Sequence, residues 1–136
     1  MPAKRQSEGD ARRMPRVLVV DDEATIRDTL VDILGDNGYV AVGATDGRDA
    51  LRKLRAPGAP WAVILLDLTM PVMDGAAFRD EQRRDPALAS IPVVVISAYR
   101  DVASKAADLQ VAAFLSKPLN VPALLALLRT HARAKH

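Results

Sequence analysis

The chain contains no cysteine, which excludes disulfides, thiolate metal sites and cysteine nucleophiles together. Aromatic residues are almost as scarce, with one Trp, two Tyr and two Phe in 136 residues, a poor supply for stacking on nucleic-acid bases. No apolar run approaches the roughly 20 residues that cross a bilayer. The N-terminal stretch MPAKRQSEGDARRMP is basic but has no apolar signal core. These absences argue against secretion and membrane insertion, and they make the cytoplasm the expected location. A large excess of one charge is missing too, since the formal net charge is only +2. Its distribution is uneven. Residues 1–16 hold five basic and two acidic groups, residues 129–136 three basic and none acidic, and the body between them 11 basic against 15 acidic. Basic tails around an acidic body do not make a nucleic-acid surface.

What is present is the balance of an ordinary folded protein, 49% apolar and 26% charged. The length suits one globular domain. The chain divides into a flexible basic segment over 1–14, a folded domain over 15–131 and a basic tail over 132–136. Inside the domain the hydrophobic period alternates regularly. Arg16 to Val20 (RVLVV) predicts a strand, and Ala24 to Leu34 a helix stopped by Gly35 and Gly38. Tyr39 to Ala44 (YVAVGA) predicts a second strand, and Asp46 to Arg55 a helix ended by Pro57-Gly58. Trp61 to Leu66 (WAVILL) is the third strand, followed by a short helix over Ala76 to Arg84 with Asp74 as N-cap. Ile91 to Ile96 (IPVVVI) is the fourth strand, Asp101 to Leu109 a weaker helix, and Ala112 to Leu115 (AAFL) the fifth strand. The last helix is capped by Asn120, has Pro122 in its first turn and runs toward residue 131. Five strands alternating with five helices, several strands apolar on both faces, predict an α/β fold. Its core is an open, doubly wound, five-stranded parallel sheet with helices on both sides.

In such sheets ligands bind outside the carboxyl ends of the strands. Strand 1 ends in Asp21-Asp22, strand 3 in Asp67, strand 4 in Ser97 and strand 5 in Ser116-Lys117-Pro118. Singly, each has a bland explanation: Asp22 and Asp74 as helix caps, Lys117 as a solvated surface cation. Their convergence on one edge changes the reading. Carboxylates about 4 Å apart repel by about 4 kcal/mol per pair at an effective dielectric near 20, so such a cluster either holds protons or binds a cation. An all-oxygen set favours a hard divalent ion such as Mg²⁺, which takes one or two carboxylates plus water and a phosphoryl oxygen. Asp67, at the middle of the edge, is the natural nucleophile for phosphoryl transfer. Lys117 and Ser97 can neutralise the moving oxygens. The Met70-Pro71 turn carries the backbone away and exposes the carboxylate.

With VVDDE, DLTMPVMDG, ISA and Lys117-Pro118 in that order, the chain resembles the receiver domains of two-component response regulators, in their stand-alone form. The resemblance covers residues 15–131. It implies a flavodoxin-like fold and a signalling phosphoacceptor rather than an enzyme, with self-catalysed phosphoryl transfer to and hydrolysis from Asp67. The donor would be a histidine kinase or a histidine phosphotransfer protein of a phosphorelay. Asp22 and Asp67 would ligate Mg²⁺, or Mn²⁺ in its place, directly. Asp21 would act largely through water, and the backbone carbonyl of Thr69 would complete the protein ligands. Ser97 and Lys117 would contact the phosphoryl oxygens, and the Lys117-Pro118 bond would be cis. Phe114 matches the switch aromatic of these domains, with a plain core aromatic as the alternative. Phosphate adds about −1.5 to −2 of charge. Ser97 would move toward it, Phe114 would turn into the vacated room, and the face of the fourth helix, fifth strand and fifth helix would change shape for a downstream protein. The chain would be a monomer or a weak homodimer, without membrane or nucleic-acid contacts.

Two features depart from the pattern. Ser97 and Lys117 are 20 positions apart, about two fewer than these domains usually have, and LQVAAF lacks the usual glycine before strand 5. The fourth helix is therefore expected to be short, shifted or loosely packed. Tyr99 lies where it could shield the phosphoryl group, or it is a plain loop tyrosine. One alternative is a receiver-like scaffold that is never phosphorylated. Another is a phosphatase of the haloacid dehalogenase type, but that chemistry wants a second Asp two positions after the nucleophile, where Asp21 has Glu23. Beyond the last helix RTHARAKH is too short for an output module, leaving a stand-alone receiver or a piece of a longer regulator. His131 and His136 fall in that basic stretch and are read as solvated.

Overall fold

The computed structural model describes residues 14–68, 75–97 and 107–132. The apolar runs of the sequence form five strands: β1 Arg16–Val20, β2 Val40–Ala44, β3 Trp61–Asp67, β4 Val93–Ser97 and β5 Ala113–Ser116. All pair in parallel in the order β2-β1-β3-β4-β5. The central strands β1, β3 and β4 are buried on both faces, which is why WAVILL and VVVI show no polar alternation. The edge strands β2 and β5 are only partly buried.

Helices α1 Ala24–Asp36, α2 Gly47–Arg55, α3 Gly75–Arg84 and α5 Val121–His131 cover the sheet. Residues 107–109 are helical and form the described part of α4. On one face Leu18, Val20, Ile64, Leu66, Val93 and Val95 pack with Leu51 and Leu54 of α2 and Phe78 of α3. On the other, Val17, Val19, Val63, Leu65, Val94 and Ile96 pack with Leu30 and Leu34 of α1 and Leu124 and Leu128 of α5. The doubly wound parallel sheet expected from the sequence is therefore the fold observed. No helix among the described residues is long and apolar enough to cross a membrane.

The differences from expectation are local. Gly35 does not stop α1. One glycine costs a helix about 1 kcal/mol, less than the burial of Leu30 and Leu34 returns, and α1 ends only near Asn37 and Gly38, the latter at φ +91°. Tyr39 is not in β2, because its N–H donates to the Leu34 carbonyl and closes the helix end. Asp46 caps α2 rather than belonging to it, accepting from the Asp49 N–H at 2.8 Å. β4 begins at Val93, after the Ile91 N–H has turned back to the Leu88 carbonyl, and it reaches Ser97. β5 is shifted one residue, to end at Ser116. Asn120 caps α5 as expected, accepting from the Ala123 N–H at 3.0 Å. His131 lies in the last turn of α5 rather than in a tail. The proposed cap Asp74, the Met70-Pro71 turn, Tyr99, His136, most of the 1–14 segment and the first part of the fourth helix lie outside the described residues.

Candidate functional site

The register of the sheet brings the acidic strand ends level. Val20 pairs with both Ala44 and Leu66, so Asp21, one step on, lies beside Asp67, the last residue of β3. Carboxylate oxygens of Asp21, Asp22 and Asp67 all fall within 4.8 Å of one another. Asp21 and Asp67 are buried, and Asp22 is exposed. Asp22 is not a helix cap: Glu23 holds the N-cap position of α1, and its N–H is taken by Asp21 Oδ1 at 3.0 Å.

Asp21 is fixed at nearly every polar atom. Its N–H donates to the Ala44 carbonyl at 3.1 Å, its carbonyl accepts from Arg27 Nη1 at 2.8 Å, and Oδ1 holds the Glu23 N–H. Oδ2 is buried without a hydrogen-bond partner among the described residues. A buried carboxylate oxygen with no donor, in a cluster of like charge, is costly unless a cation completes it. The donor set is all oxygen and mostly carboxylate, which suits Mg²⁺.

On the other side of Asp67, Lys117 Nζ lies 3.4 Å from Oδ2, with both side chains largely buried. Lys117 is held in place by its own backbone: its N–H donates to the Ser97 carbonyl at 2.8 Å, continuing the β4–β5 pairing past Ser97 and Ser116. The Lys117-Pro118 peptide bond is cis. Ser97 is fully buried at the end of β4. The structure thus brings together Asp21, Asp22, Asp67 and Lys117 at one edge, with Ser97 at the adjacent strand end. Thr69 lies outside the described residues. Phe114 is on β5 with 42% of its surface exposed, so it is not a core aromatic.

Directly after the site, Leu68 and Gly75 meet back to back. The Gly75 N–H donates to the Leu68 carbonyl at 3.0 Å, and a Cβ at Gly75 would stand 2.7 Å from Leu68 Cα. The glycine of the MDG motif is thus required for the close backbone approach to Leu68, the residue that follows Asp67.

Sequence reasoning overlooked a polar cluster where α3 meets the segments that lead into β4 and β5. Arg79 and Gln82 of α3 are buried at helical spacing from Gly75 and Phe78, where apolar residues would be expected. That break in an otherwise apolar face was the available signal. Arg79 donates to Gln82 Oε1 and to the carbonyls of Leu109 and Gln110 at 2.7 to 2.9 Å. Gln82 donates in turn to the Leu88 and Ile91 carbonyls. Burial, with Arg83 nearby, pushes the Arg79 guanidinium below its usual range. A second overlooked group is Asp49. Partial burial alone would raise its carboxyl, but the Thr45 N–H, Arg52 and Lys53 outweigh that and hold it at about 2.

The family model for the response regulator receiver domain matches residues 17–129. The transcriptional regulatory protein PdtaR of Mycobacterium tuberculosis is 35% identical over 126 residues, covering 88% of this chain and 57% of that protein. The probable transcriptional regulator ycf27 of Guillardia theta is 34% identical over 122 residues, covering 88% of this chain and 46% of that protein. The chain therefore spans about half the length of the curated relatives it matches. Among solved structures, chemotaxis protein CheY4 of Vibrio cholerae superposes with a TM-score of 0.78 at 32% identity, covering 87% of this chain and 98% of that one. Response regulator protein TrrA of Thermotoga maritima, solved in complex with Mg²⁺-BeF, does so with a TM-score of 0.76 at 27% identity, covering 86% and 98%. A family match over most of the length, on a sheet whose strand ends gather three carboxylates and a lysine, leaves one conclusion: the chain belongs to the response regulator receiver domain family.

Proposed function

We propose that this chain is a phosphoacceptor switch in which Asp67 takes a phosphoryl group from a histidine kinase or a histidine phosphotransfer protein. The observation that carries the reading is the buried, unpartnered Oδ2 of Asp21 inside the triad Asp21, Asp22 and Asp67, with Lys117 against Asp67. Asp22 and Asp67 would hold Mg²⁺ directly, Asp21 would hold it directly or through water, and the Thr69 carbonyl would complete the protein ligands. A bound Mg²⁺ neutralises charge on phosphoryl oxygens. The Thermotoga protein solved with Mg²⁺-BeF supports this assignment by likeness of fold.

In this reading Asp67 would be the nucleophile of an in-line transfer. One carboxylate oxygen forms a bond to phosphorus as the bond to the donor's imidazole nitrogen breaks, and the imidazole leaves with that electron pair. Lys117 Nζ stabilises the charge on the transferred oxygens, and the Ser97 hydroxyl donates to one of them. Movement of Ser97 toward the new charge would release Phe114, already half-exposed on β5, to turn inward and reshape the α4–β5–α5 face for a downstream protein. The charge pattern and the absence of a long apolar helix among the described residues fit a receiver working in the cytoplasm.

The test is intact mass after incubation with Mg²⁺ and acetyl phosphate or phosphoramidate. One added phosphoryl group is expected on the wild type, and none on Asp67→Asn or without Mg²⁺. Absence of the adduct with small donors and with a cognate kinase alike would favour an unphosphorylated scaffold.

A further inference from the structure

Asp21 owes its position to a residue outside the acidic set. Arg27, in the first turns of α1, reaches back over the sheet edge, and its Nη1 donates to the Asp21 carbonyl at 2.8 Å. To get there the side chain crosses β2 at Gly43. A Cβ built at Gly43 would lie 3.0 Å from Arg27 Cδ and 3.1 Å from Cγ, so a larger residue would require the arginine side chain to give by a few tenths of an ångström. A glycine in the middle of a strand usually marks such a close approach. Gly43 is itself held, because its carbonyl accepts from Lys53 Nζ at 2.6 Å.

We propose that Arg27 is a positioning residue for cation binding: by gripping the Asp21 carbonyl across Gly43, it fixes the Asp21–Asp22 peptide so that Asp21 Oδ2 and the Asp22 carboxylate face the same point. This rests on the reading of the triad as a Mg²⁺ site. The N–H and Oδ1 of Asp21 are taken by Ala44 and Glu23, and the carbonyl held by Arg27 belongs to the peptide leading to Asp22. The sign of the effect separates positioning from charge. As a nearby cation, Arg27 repels Mg²⁺, and its loss would tighten binding if charge were all that mattered. As an orienting group, its loss weakens binding, and outer-shell partners of metal ligands typically contribute about 10- to 100-fold in affinity.

The experiment is calorimetric titration of the full chain with Mg²⁺ alone, alongside thermal unfolding of the metal-free protein. Arg27→Met is expected to weaken Mg²⁺ at least about tenfold while cooperative unfolding is kept, and Arg27→Lys to recover part of the loss. Gly43→Ala is expected to weaken binding in the wild-type background and to add nothing on top of Arg27→Met. It also carries the test should Arg27→Met fail to fold. Unchanged or tighter binding by Arg27→Met, or a Gly43→Ala effect that persists without the arginine, overturns the proposal. Asp21→Asn distinguishes the two levels: if it binds as tightly as wild type, the cation site itself is misassigned, whereas if it loses Mg²⁺ and Arg27→Met does not, only the role of Arg27 falls.

Discussion

Arg79 donates from Nη2 to the carbonyl of Gln110 at 2.7 Å, and Gln110 is a non-glycine residue at φ +55°. The two facts explain each other. The left-handed conformation costs an ordinary residue about 1–2 kcal/mol, and a buried guanidinium that also binds the Leu109 carbonyl holds the turn before β5 in that shape. Arg83 adds a bond to the Gln110 side chain at 2.7 Å. The glycine that the sequence lacks before β5 is thus replaced by a backbone clamp from α3. Arg79→Leu is expected to lower stability by about 3 kcal/mol, since it leaves two backbone carbonyls and Gln82 Oε1 without their donor. Urea unfolding measures it, and a loss under about 1 kcal/mol would mean that water reaches those groups.

Gln110→Gly should act in the opposite direction. It relieves the strained φ but gives the unfolded chain more freedom, which costs about 0.4–1 kcal/mol. The solvent-exposed bond from Arg83 contributes little. A net gain of about 0.5 kcal/mol is expected from the same unfolding experiment. A clear loss would show that the Gln110 side chain, rather than its backbone, anchors the turn.

The pH dependence at low pH should carry the mark of Asp49. Its carboxyl is held at about 2 in the fold against an ordinary 3.8, by the Thr45 N–H at 3.0 Å, by Lys53 at 3.1 Å and by Arg52. A carboxyl lowered by folding stabilises the fold fully above its unfolded pKa and stops doing so as the pH falls through its folded pKa. The stability difference between wild type and Asp49→Asn is therefore expected to be constant above pH about 4 and to shrink between pH about 4 and about 2. Urea unfolding at stepped pH measures it, and a difference independent of pH would contradict the assignment.

The fold was legible because its signals are local and repeated. The apolar runs of β1, β3 and β4 and the cap Asn120 each point to the same parallel sheet. The candidate site was legible for the same reason: strand ends fix where side chains emerge, so Asp21, Asp67, Ser97 and Lys117 could be placed on one edge from spacing alone. Arg27, Arg79 and Gln110 could not. Arg27 and Arg79 donate to backbone carbonyls 6 to 31 residues away, that of Gln110 among them, and a carbonyl carries no residue-type signal in a sequence. Gly43 and Gly75 were visible as glycines, but which side chain or backbone needed the room depends on tertiary approach.

Gly75→Ala tests the close approach beside the acceptor. The added methyl would meet Leu68 Cα at 2.7 Å and Cδ2 at 2.8 Å, and backbone cannot yield as a side-chain tip can. A loss of about 1–3 kcal/mol is expected, together with slower phosphorylation by small donors, because Leu68 follows Asp67 directly. Stability lost without any change in phosphorylation rate would show that the Leu68–Gly75 contact and the acceptor are mechanically independent.

The triad itself makes an unusual demand, that removing a charge should stabilise the metal-free protein. Three carboxylates with oxygens within 4.8 Å repel by up to about 3–4 kcal/mol per pair at an effective dielectric near 20, partly offset by Lys117. Asp21→Asn keeps the Oδ1 that accepts the Glu23 N–H and replaces the unpartnered Oδ2 by an amide that can donate to a neighbouring carboxylate. In chelator, Asp21→Asn is therefore expected to unfold at a higher temperature than wild type, by about 1 kcal/mol in stability. In saturating Mg²⁺ the order should reverse, because the wild type gains about 2.7 kcal/mol at a hundredfold excess over its dissociation constant and the variant gains little. If Asp21→Asn is less stable than wild type in chelator as well, then repulsion is not what the fold tolerates at this edge, and the buried oxygen must be satisfied by some means other than a cation.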